Sequence, residues 1–318
     1  MSFPTFNALT DQLIQLFQSN HYAEALDLVT REGPRFPADR IWADYWRMCA
    51  AARVGSRPLV YQIARQALAE GVWYGEVMWR KTPSFQPLQG DPDFERLVAA
   101  SHAAEAQDTP ADAPVLLTRL PENHSPASPL LVALHGNQRT ALHTLPFWQV
   151  AVSQGWVLAL PQSRQAMYKG AYVWDDLDAA YANVQAHFTQ LQHQITFDPN
   201  RIVLAGHSMG GLAAIQMALR GAPHVRGFVA NGPAVPFLDA PDELEALLAP
   251  ARERGVRGYF TVGAQDDDIN PDEIRALADK LQSAGVACAL EIVPNATHAY
   301  SSAYDAALLR ALAFVDAA

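Results

Sequence analysis

A serine between two closely spaced glycines follows an apolar segment in the second half of the chain. Residues 201–211 read RIVLAGHSMGG, which contains G-x-S-x-G between a strand-like and a helix-like stretch. A serine in a tight strand-to-helix turn exposes its hydroxyl above the sheet, and glycines at 206 and 210 let the chain pass closely. The pattern predicts Ser208 as a nucleophile supported by Gly206 and Gly210. The alternative for so short a motif is a serine that caps a helix beside flexible turns.

The stretch before this serine extends the pattern. Residues 198–211 read DPNRIVLAGHSMGG, which resembles D-P-x-R-I-x-L-x-G-x-S-x-G-G of the α/β-hydrolase superfamily, particularly its carboxylesterase- and phospholipase-like esterases. The resemblance covers residues 113 to 318. It implies the α/β-hydrolase fold and a catalytic triad in the chain order Ser, Asp, His, but it does not identify a substrate.

A serine hydroxyl needs a general base, and the base needs a carboxylate that holds its correct tautomer. Asp266 lies just beyond a strand-like segment in the G-x-x-D pattern of the superfamily, and His298 ends the loop PNATH after the last apolar segment. The loop is similar to the superfamily's P-G-x-x-H, with Asn295 in place of glycine; asparagine tolerates the left-handed backbone conformation. We therefore expect Asp266 and His298 to complete the triad. Asp267 and Asp268 adjoin Asp266, and one of the three acids could instead cap the next helix.

The resemblance also implies an oxyanion hole. Residues 129–137 read PLLVALHGN, a strand-like run that ends in H-G, as in the superfamily loop that supplies one backbone donor. The predicted donors are the backbone N–H groups of Asn137 and Met209, the latter at a helix N-terminus. Without the serine motif, H-G would indicate a simple turn. We expect His135 to be structural and His207 to support the nucleophile turn at most.

Beyond residue 114, short apolar segments alternate with longer amphipathic ones. This alternation predicts a mostly parallel sheet covered by helices on both faces. The predicted strands are 115–120, 130–134, 156–160, 202–205, 227–230, 258–262 and 287–293. The predicted helices are 142–154, 175–191, 209–220, 242–249, 271–284 and 301–314.

The amino-terminal part has a helical pattern from residue 6 to about 104. Helix pairs recur there at a spacing near the ~34 residues of a tetratricopeptide unit. The polar, proline-bearing text AAEAQDTPADAP at 103–114 is typical of a linker. The predicted organisation is a small all-α, tetratricopeptide-like domain at 1–105, a linker at 106–113 and the α/β-hydrolase domain at 114–318.

Composition restricts partners and location. The 318 residues include 23 Lys and Arg against 33 Asp and Glu, a net charge of −10 that repels nucleic acid. Cys49 and Cys288 lie far apart and are expected to be reduced core thiols. The start of the chain does not read as a secretory signal, and no apolar run reaches the ~20 residues of a membrane span, so a cytoplasmic location is expected. Metal-binding and phosphate-binding motifs are missing from the sequence, so we expect no cofactor.

These features predict a serine hydrolase that cleaves a small-molecule carboxylic ester through an acyl-enzyme. Peptidase or thioesterase activity on the same fold is one alternative, because the pocket sets selectivity. In a second alternative, the hydrolase fold is a non-catalytic scaffold, and the helical domain binds a protein partner or a second copy of the chain. Tyr172 and Trp174 in the aromatic segment 167–176 could line a substrate pocket, or they could pack that loop onto the next helix. Residues 232–255 could form a cap or merely a helix with its linkers.

Overall fold

The chain forms two compact units. One comprises Met1–Asp112 with Ala166–Lys169, and the other comprises Ala113–Gln165 with Gly170–Ala318. The computed structural model describes residues 3–108, 115–221, 223–236 and 241–317.

The first unit is built of helices, as the apolar periodicity predicts. Its α-helices are α1 Phe6–Gln18, α2 Tyr22–Glu32, α3 Arg40–Arg53, α4 Arg57–Ala69, α5 Glu76–Lys81 and α6 Pro92–Asp108. Helices α1 and α3 begin 34 residues apart, and α2 and α4 begin 35 residues apart. Buried aromatic side chains, including Trp79, Phe85 and Phe94, form much of the core. Helix α6 continues to Asp108, three residues into the predicted linker, and the rest of that linker (109–113) lies outside the described residues.

The second unit contains a seven-stranded sheet. The strands of this sheet are β1 Leu116–Arg119, β2 Leu130–Leu134, β3 Val157–Pro161, β6 Ile202–His207, β7 Gly227–Asn231, β8 Arg257–Gly263 and β9 Ala287–Val293. Two short strands of the chain, β4 Gln165–Tyr168 and β5 Ala171–Val173, are not part of it. The order is β1-β3-β2-β6-β7-β8-β9, with β1 antiparallel to β3 and every other pair parallel. The predicted mostly parallel sheet is confirmed. The two short strands fall in the segment that the sequence indicates only as aromatic.

Helices cover both faces of the sheet, because successive strand residues point to opposite sides. The helices are α7 Ala141–Trp148, α8 Val150–Ser153, α9 Leu177–Gln194, α10 Met209–Arg220, α11 Pro241–Glu253, α12 Pro271–Ser283 and α13 Tyr304–Val315. Leu130 and Val132 of β2 join one core with α9, α10, α11 and α12, while Leu131 and Ala133 join the opposite core with α7, α8 and α13. This double burial explains why the strands are almost uninterrupted apolar runs.

Helix α11 belongs to one of these covering layers. Leu244 and Leu248 are buried and join the core of that face. The helix in the segment 232–255 is therefore part of the covering layer, and residues 237–240 of that segment lie outside the described part. None of the helices among the described residues is both long and apolar enough to cross a bilayer. Cys49 and Cys288 are buried and free, as predicted.

Candidate active site

Ser208 lies in a sharp turn between β6 and α10. Its backbone has φ 53° and ψ −123°, a conformation that an L-residue rarely adopts. The turn is tight because a Cβ on Gly206 would lie 2.2 Å from the Gly210 carbonyl oxygen, and one on Gly210 would lie 2.3 Å from that of His135. The Ser208 N–H donates to the carbonyl oxygen of Asn231 at 3.0 Å. A side chain at either glycine would therefore clash with backbone atoms beside the serine turn.

Asp266 and His298 meet at the same edge of the sheet. Asp266 follows β8 and His298 follows β9, and their Oδ2 and Nδ1 atoms are 3.0 Å apart. The Asp266 side chain is 1% exposed and that of His298 is 19% exposed. The other carboxylate oxygen, Oδ1, accepts the N–H groups of Asp268 at 3.1 Å and Ile269 at 2.8 Å. These two bonds fix the plane of the carboxylate and leave Oδ2 to face the imidazole.

The neighbouring acids occupy different positions. Asp267 and Asp268 are exposed. The cap of α12 is Asn270, whose side chain accepts the N–H of Asp272. Of the three consecutive acids, Asp266 is therefore the one whose side chain contacts His298.

Gly232, the residue after β7, lies between the turn of Ser208 and the pair of Asp266 and His298. A Cβ on Gly232 would lie 3.2 Å from Asp266 Oδ2 and 3.3 Å from His298 Nδ1, and the residue before it, Asn231, receives the Ser208 N–H. Within the described part of the chain, no hydrogen bond joins the Ser208 hydroxyl to His298. Such bonds are often long without substrate and tighten in the complex.

His207 packs beside His298 at this edge. The two ring centroids are 4.7 Å apart, and the His207 ring lies equally close to that of Tyr300. Its Nδ1 lies 3.0 Å from the side-chain amide of Asn231, whose Oδ1 accepts the hydroxyl of Thr261 at 2.7 Å. Burial, with the nearby charge of His298 as a second cause, lowers the pKa of His207 to about 3. A neutral His207 therefore adds no competing charge beside His298.

His135 holds the loop that follows β2. It is fully buried, its Nδ1 lies 2.8 Å from the Gly136 carbonyl oxygen, and its Nε2 accepts the N–H of Ser163 at 3.2 Å. Burial lowers the pKa of His135 to about 4. The indole of Trp174 is also fully buried and donates to the His135 carbonyl oxygen at 2.8 Å. A pocket role for Trp174 is wrong, because a side chain with no exposed surface packs the loop instead of lining an open site.

The predicted oxyanion donors lie on two segments beside Ser208. A Cβ on Gly136 would lie 3.6 Å from the Ser208 Cβ, which places the loop of Asn137 next to Ser208. Met209 begins α10, where N–H groups lack intrahelical acceptors. The loop also bonds to the aromatic segment, because the Gln138 N–H donates to the carbonyl oxygen of Tyr172 at 2.9 Å. Tyr172 itself is half-buried.

Comparisons with known proteins agree with this fold. A protein of Bacillus cereus described as uncharacterized is 21% identical over 99% of both chains, with a TM-score of 0.55. Esterase PE8 is 21% identical over 62% of this chain and 97% of its own, and the S-formylglutathione hydrolase of Staphylococcus aureus is 18% identical over 64% and 92%; both have a TM-score of 0.49. The model of the dienelactone hydrolase family matches residues 159–316. The chain has the α/β-hydrolase fold. Of the functionally curated proteins compared, none matches significantly.

Sequence analysis did not predict several residues at this edge of the sheet. Asn231 contacts His207 and is itself bonded to the hydroxyl of Thr261. The signal for Asn231 is a polar residue at the end of a buried strand. Tyr300 packs on His207, and its signal in the sequence is its position two residues after His298. Asn295 has φ 59°, which confirms the left-handed conformation expected where the superfamily has glycine.

Proposed function

We propose that this α/β-hydrolase is a serine hydrolase that cleaves carboxylic esters through an acyl-enzyme, with Ser208, His298 and Asp266 as its triad. The observation that carries the proposal is the 3.0 Å contact between the buried Asp266 carboxylate and His298, at the sheet edge where Ser208 lies in its strained turn. A buried carboxylate on one imidazole nitrogen is the arrangement that makes the other nitrogen a base.

In this mechanism Asp266 keeps the proton of His298 on Nδ1, so Nε2 can accept the proton of the Ser208 hydroxyl. The serine oxygen attacks the ester carbonyl, and the backbone N–H groups of Asn137 and Met209 stabilise the resulting oxyanion. His298 then gives the proton to the departing alcohol. Water repeats the sequence on the acyl-enzyme and releases the acid.

A fluorophosphonate probe tests the nucleophile. We expect the folded protein to be labelled and Ser208→Ala to lose all labelling. Ser153→Ala is the matched control, because Ser153 is an exposed serine at the end of α8. Labelling that persists in Ser208→Ala would contradict the assignment. A folded wild-type protein that is not labelled would favour a non-catalytic scaffold.

A substrate panel tests the ester class. Alkyl esters of increasing acyl length, aminoacyl amides and thioesters would be compared by kcat/KM on the same preparation. We expect the highest values for the oxygen esters, with the activity lost in Ser208→Ala. A preference for amides or thioesters would move the protein to the peptidase or thioesterase alternative on the same fold.

For the helical unit, we propose a tetratricopeptide-like pair of repeats that binds a protein partner or a second copy of the chain. The spacing of 34 and 35 residues between successive helix pairs supports this proposal. Light scattering of the full chain over a range of concentrations tests self-association. A mass that rises to twice that of the chain would support it, and a constant monomer mass would contradict it and leave only a different protein as the partner.

A further inference from the structure

Tyr300 extends the active-site edge with an aromatic ring. Its ring centroid lies 4.7 Å from that of His207 on one side and 3.9 Å from that of Phe147 on another, the last pair being stacked at 8°. Because the His207 ring also lies 4.7 Å from the His298 ring, a continuous series of rings leads from the proposed base to Phe147. We call Phe147 and Tyr300 the aromatic pair.

Neighbouring side chains hold the aromatic pair in place. The hydroxyl of Tyr300 accepts the indole N–H of Trp148 at 3.1 Å, and Trp148 is fully buried. Tyr304, at the start of α13, packs edge-on against Tyr300 at 4.8 Å and 70°. The Tyr300 ring therefore has one well-defined position, and binding against it costs little ordering of the protein.

The outer ring of the pair is open to solvent. Phe147 is 37% exposed on α7, the helix that follows the loop of Asn137. An exposed aromatic ring stacked on a fixed one, next to a catalytic edge, is a surface on which a flat apolar group can be buried. The Tyr300 hydroxyl is already bonded to Trp148, so the pair offers ring surface more than polar contacts.

We infer that the aromatic pair binds the alcohol part of the ester and favours an aromatic alcohol over a saturated one. The inference rests on the proposed function and adds a substrate class to it. His298 must give its proton to the leaving oxygen, so the alcohol part has to lie on the imidazole side of Ser208. The rings of His207 and Tyr300 continue from the His298 imidazole. A benzyl-type group there can stack on or against the exposed ring of Phe147, whereas a saturated ring gains only apolar burial.

Three acetates with the same acyl group test this preference. Benzyl, cyclohexylmethyl and ethyl acetate would be compared by kcat/KM in the wild type, Phe147→Ala, Phe147→Leu and Leu142→Ala. Phe147→Leu keeps an apolar side chain without a ring. Leu142 is 65% exposed on the same helix, and its removal is the matched control for losing a surface apolar group.

We expect the wild type to prefer benzyl over cyclohexylmethyl acetate. Both Phe147 variants should lower that ratio by roughly 3- to 10-fold, the effect expected for the loss of one aromatic contact. Their kcat/KM for ethyl acetate should stay within about 2-fold of the wild-type value. Leu142→Ala should behave as the wild type. An unchanged ratio in both Phe147 variants, or an equal loss on all three acetates, would overturn the inference.

Binding of benzyl alcohol separates this inference from the proposed function. If none of the acetates is hydrolysed in a Ser208-dependent way, the proposed function fails. The aromatic pair is then judged by Kd values for benzyl alcohol from NMR titration. A Kd raised roughly 3- to 10-fold in Phe147→Ala and Phe147→Leu, but not in Leu142→Ala, would support the binding surface. Equal Kd values in all four proteins, or no binding to the wild type, would overturn it.

Discussion

The Asp266 carboxylate bonds in two directions: Oδ2 lies 3.0 Å from His298 Nδ1, while Oδ1 accepts two backbone N–H groups of its own turn. One oxygen therefore organises the turn, and the other orients the imidazole. Because different oxygens carry the two roles, a substitution can remove the second role and keep the first.

Asp266→Asn removes the contact that orients the imidazole and keeps the oxygen that organises the turn. The asparagine oxygen can still accept the N–H groups of Asp268 and Ile269, but its NH₂ group then faces His298 Nδ1 and favours the tautomer with the proton on Nε2. We expect kcat for ester hydrolysis to fall by about 10⁴-fold, as expected when the base is held in the wrong tautomer. Stopped assays with the best ester of the panel would measure it.

Asp267→Asn is the control for this substitution, because Asp267 is an exposed acid one residue away. We expect its kcat to stay within about 2-fold of the wild type, and both variants to unfold at similar denaturant concentrations. Equal losses in the two variants would show that the charge of the turn, and not the contact to His298, matters.

The backbone of Ser208 predicts a difference in stability between two variants that lack its hydroxyl. Ser208→Ala keeps a Cβ at φ 53°, whereas Ser208→Gly removes it, and both lack the hydroxyl. We expect the glycine variant to have a free energy of unfolding about 1 kcal/mol above that of the alanine variant, because glycine adopts positive φ without the steric cost. Denaturant titration of the two proteins measures this difference. An alanine variant as stable as the glycine variant would mean that the turn stores no strain at Cβ.

The sequence predicted most of the fold because its signals are local. Doubly buried strands are continuous apolar runs, and the predicted helix 209–220 coincides with α10 since the glycine-rich turn fixes its start and Gly221 its end. The short strands β4 and β5 escaped prediction. They lie outside the sheet, and neither the length nor the periodicity of their sequence marks a strand.

The candidate site was predictable only where a residue follows a recognisable strand. Asp266 and His298 each follow an apolar run at a distance typical of the superfamily, and the structure brings them into contact. The surroundings of His207 were not predictable, because Asn231 reaches it from the end of β7 and Tyr300 reaches it from the loop after β9. Trp174 shows the same limit, since a tryptophan beside a predicted site can fill a core as well as a pocket.

Gly210 and Gly211 give a second matched comparison. Both lie in the first turn of α10, so alanine gains similar helix propensity at either position, up to about 1 kcal/mol. A Cβ at Gly210 would meet the backbone oxygens of His135 and Leu134 at 2.3 and 2.6 Å, whereas one at Gly211 would meet the Pro233 Cβ at 3.0 Å. We expect Gly210→Ala to lower the free energy of unfolding by at least about 3 kcal/mol, and Gly211→Ala by about 1 kcal/mol or less. Similar values from thermal or denaturant unfolding would contradict the close approach of the loop after β2.

The buried His135 predicts a loss of stability in acid. Burial lowers its pKa from 6.5 to about 4, so between these values the unfolded chain binds a proton that the folded protein does not. The neutral His135 therefore makes its full contribution to stability above pH 6.5. As the pH drops toward 4, the free energy of unfolding falls by up to about 1.4 kcal/mol per pH unit. Denaturant unfolding from pH 7 to 4.5 should show a shallower decline in His135→Gln than in the wild type. His143→Gln is the control, because His143 is exposed on α7 and its removal should leave the wild-type slope. Parallel curves for wild type and His135→Gln would mean that the imidazole at 135 takes up its proton in the folded state as readily as in the unfolded chain.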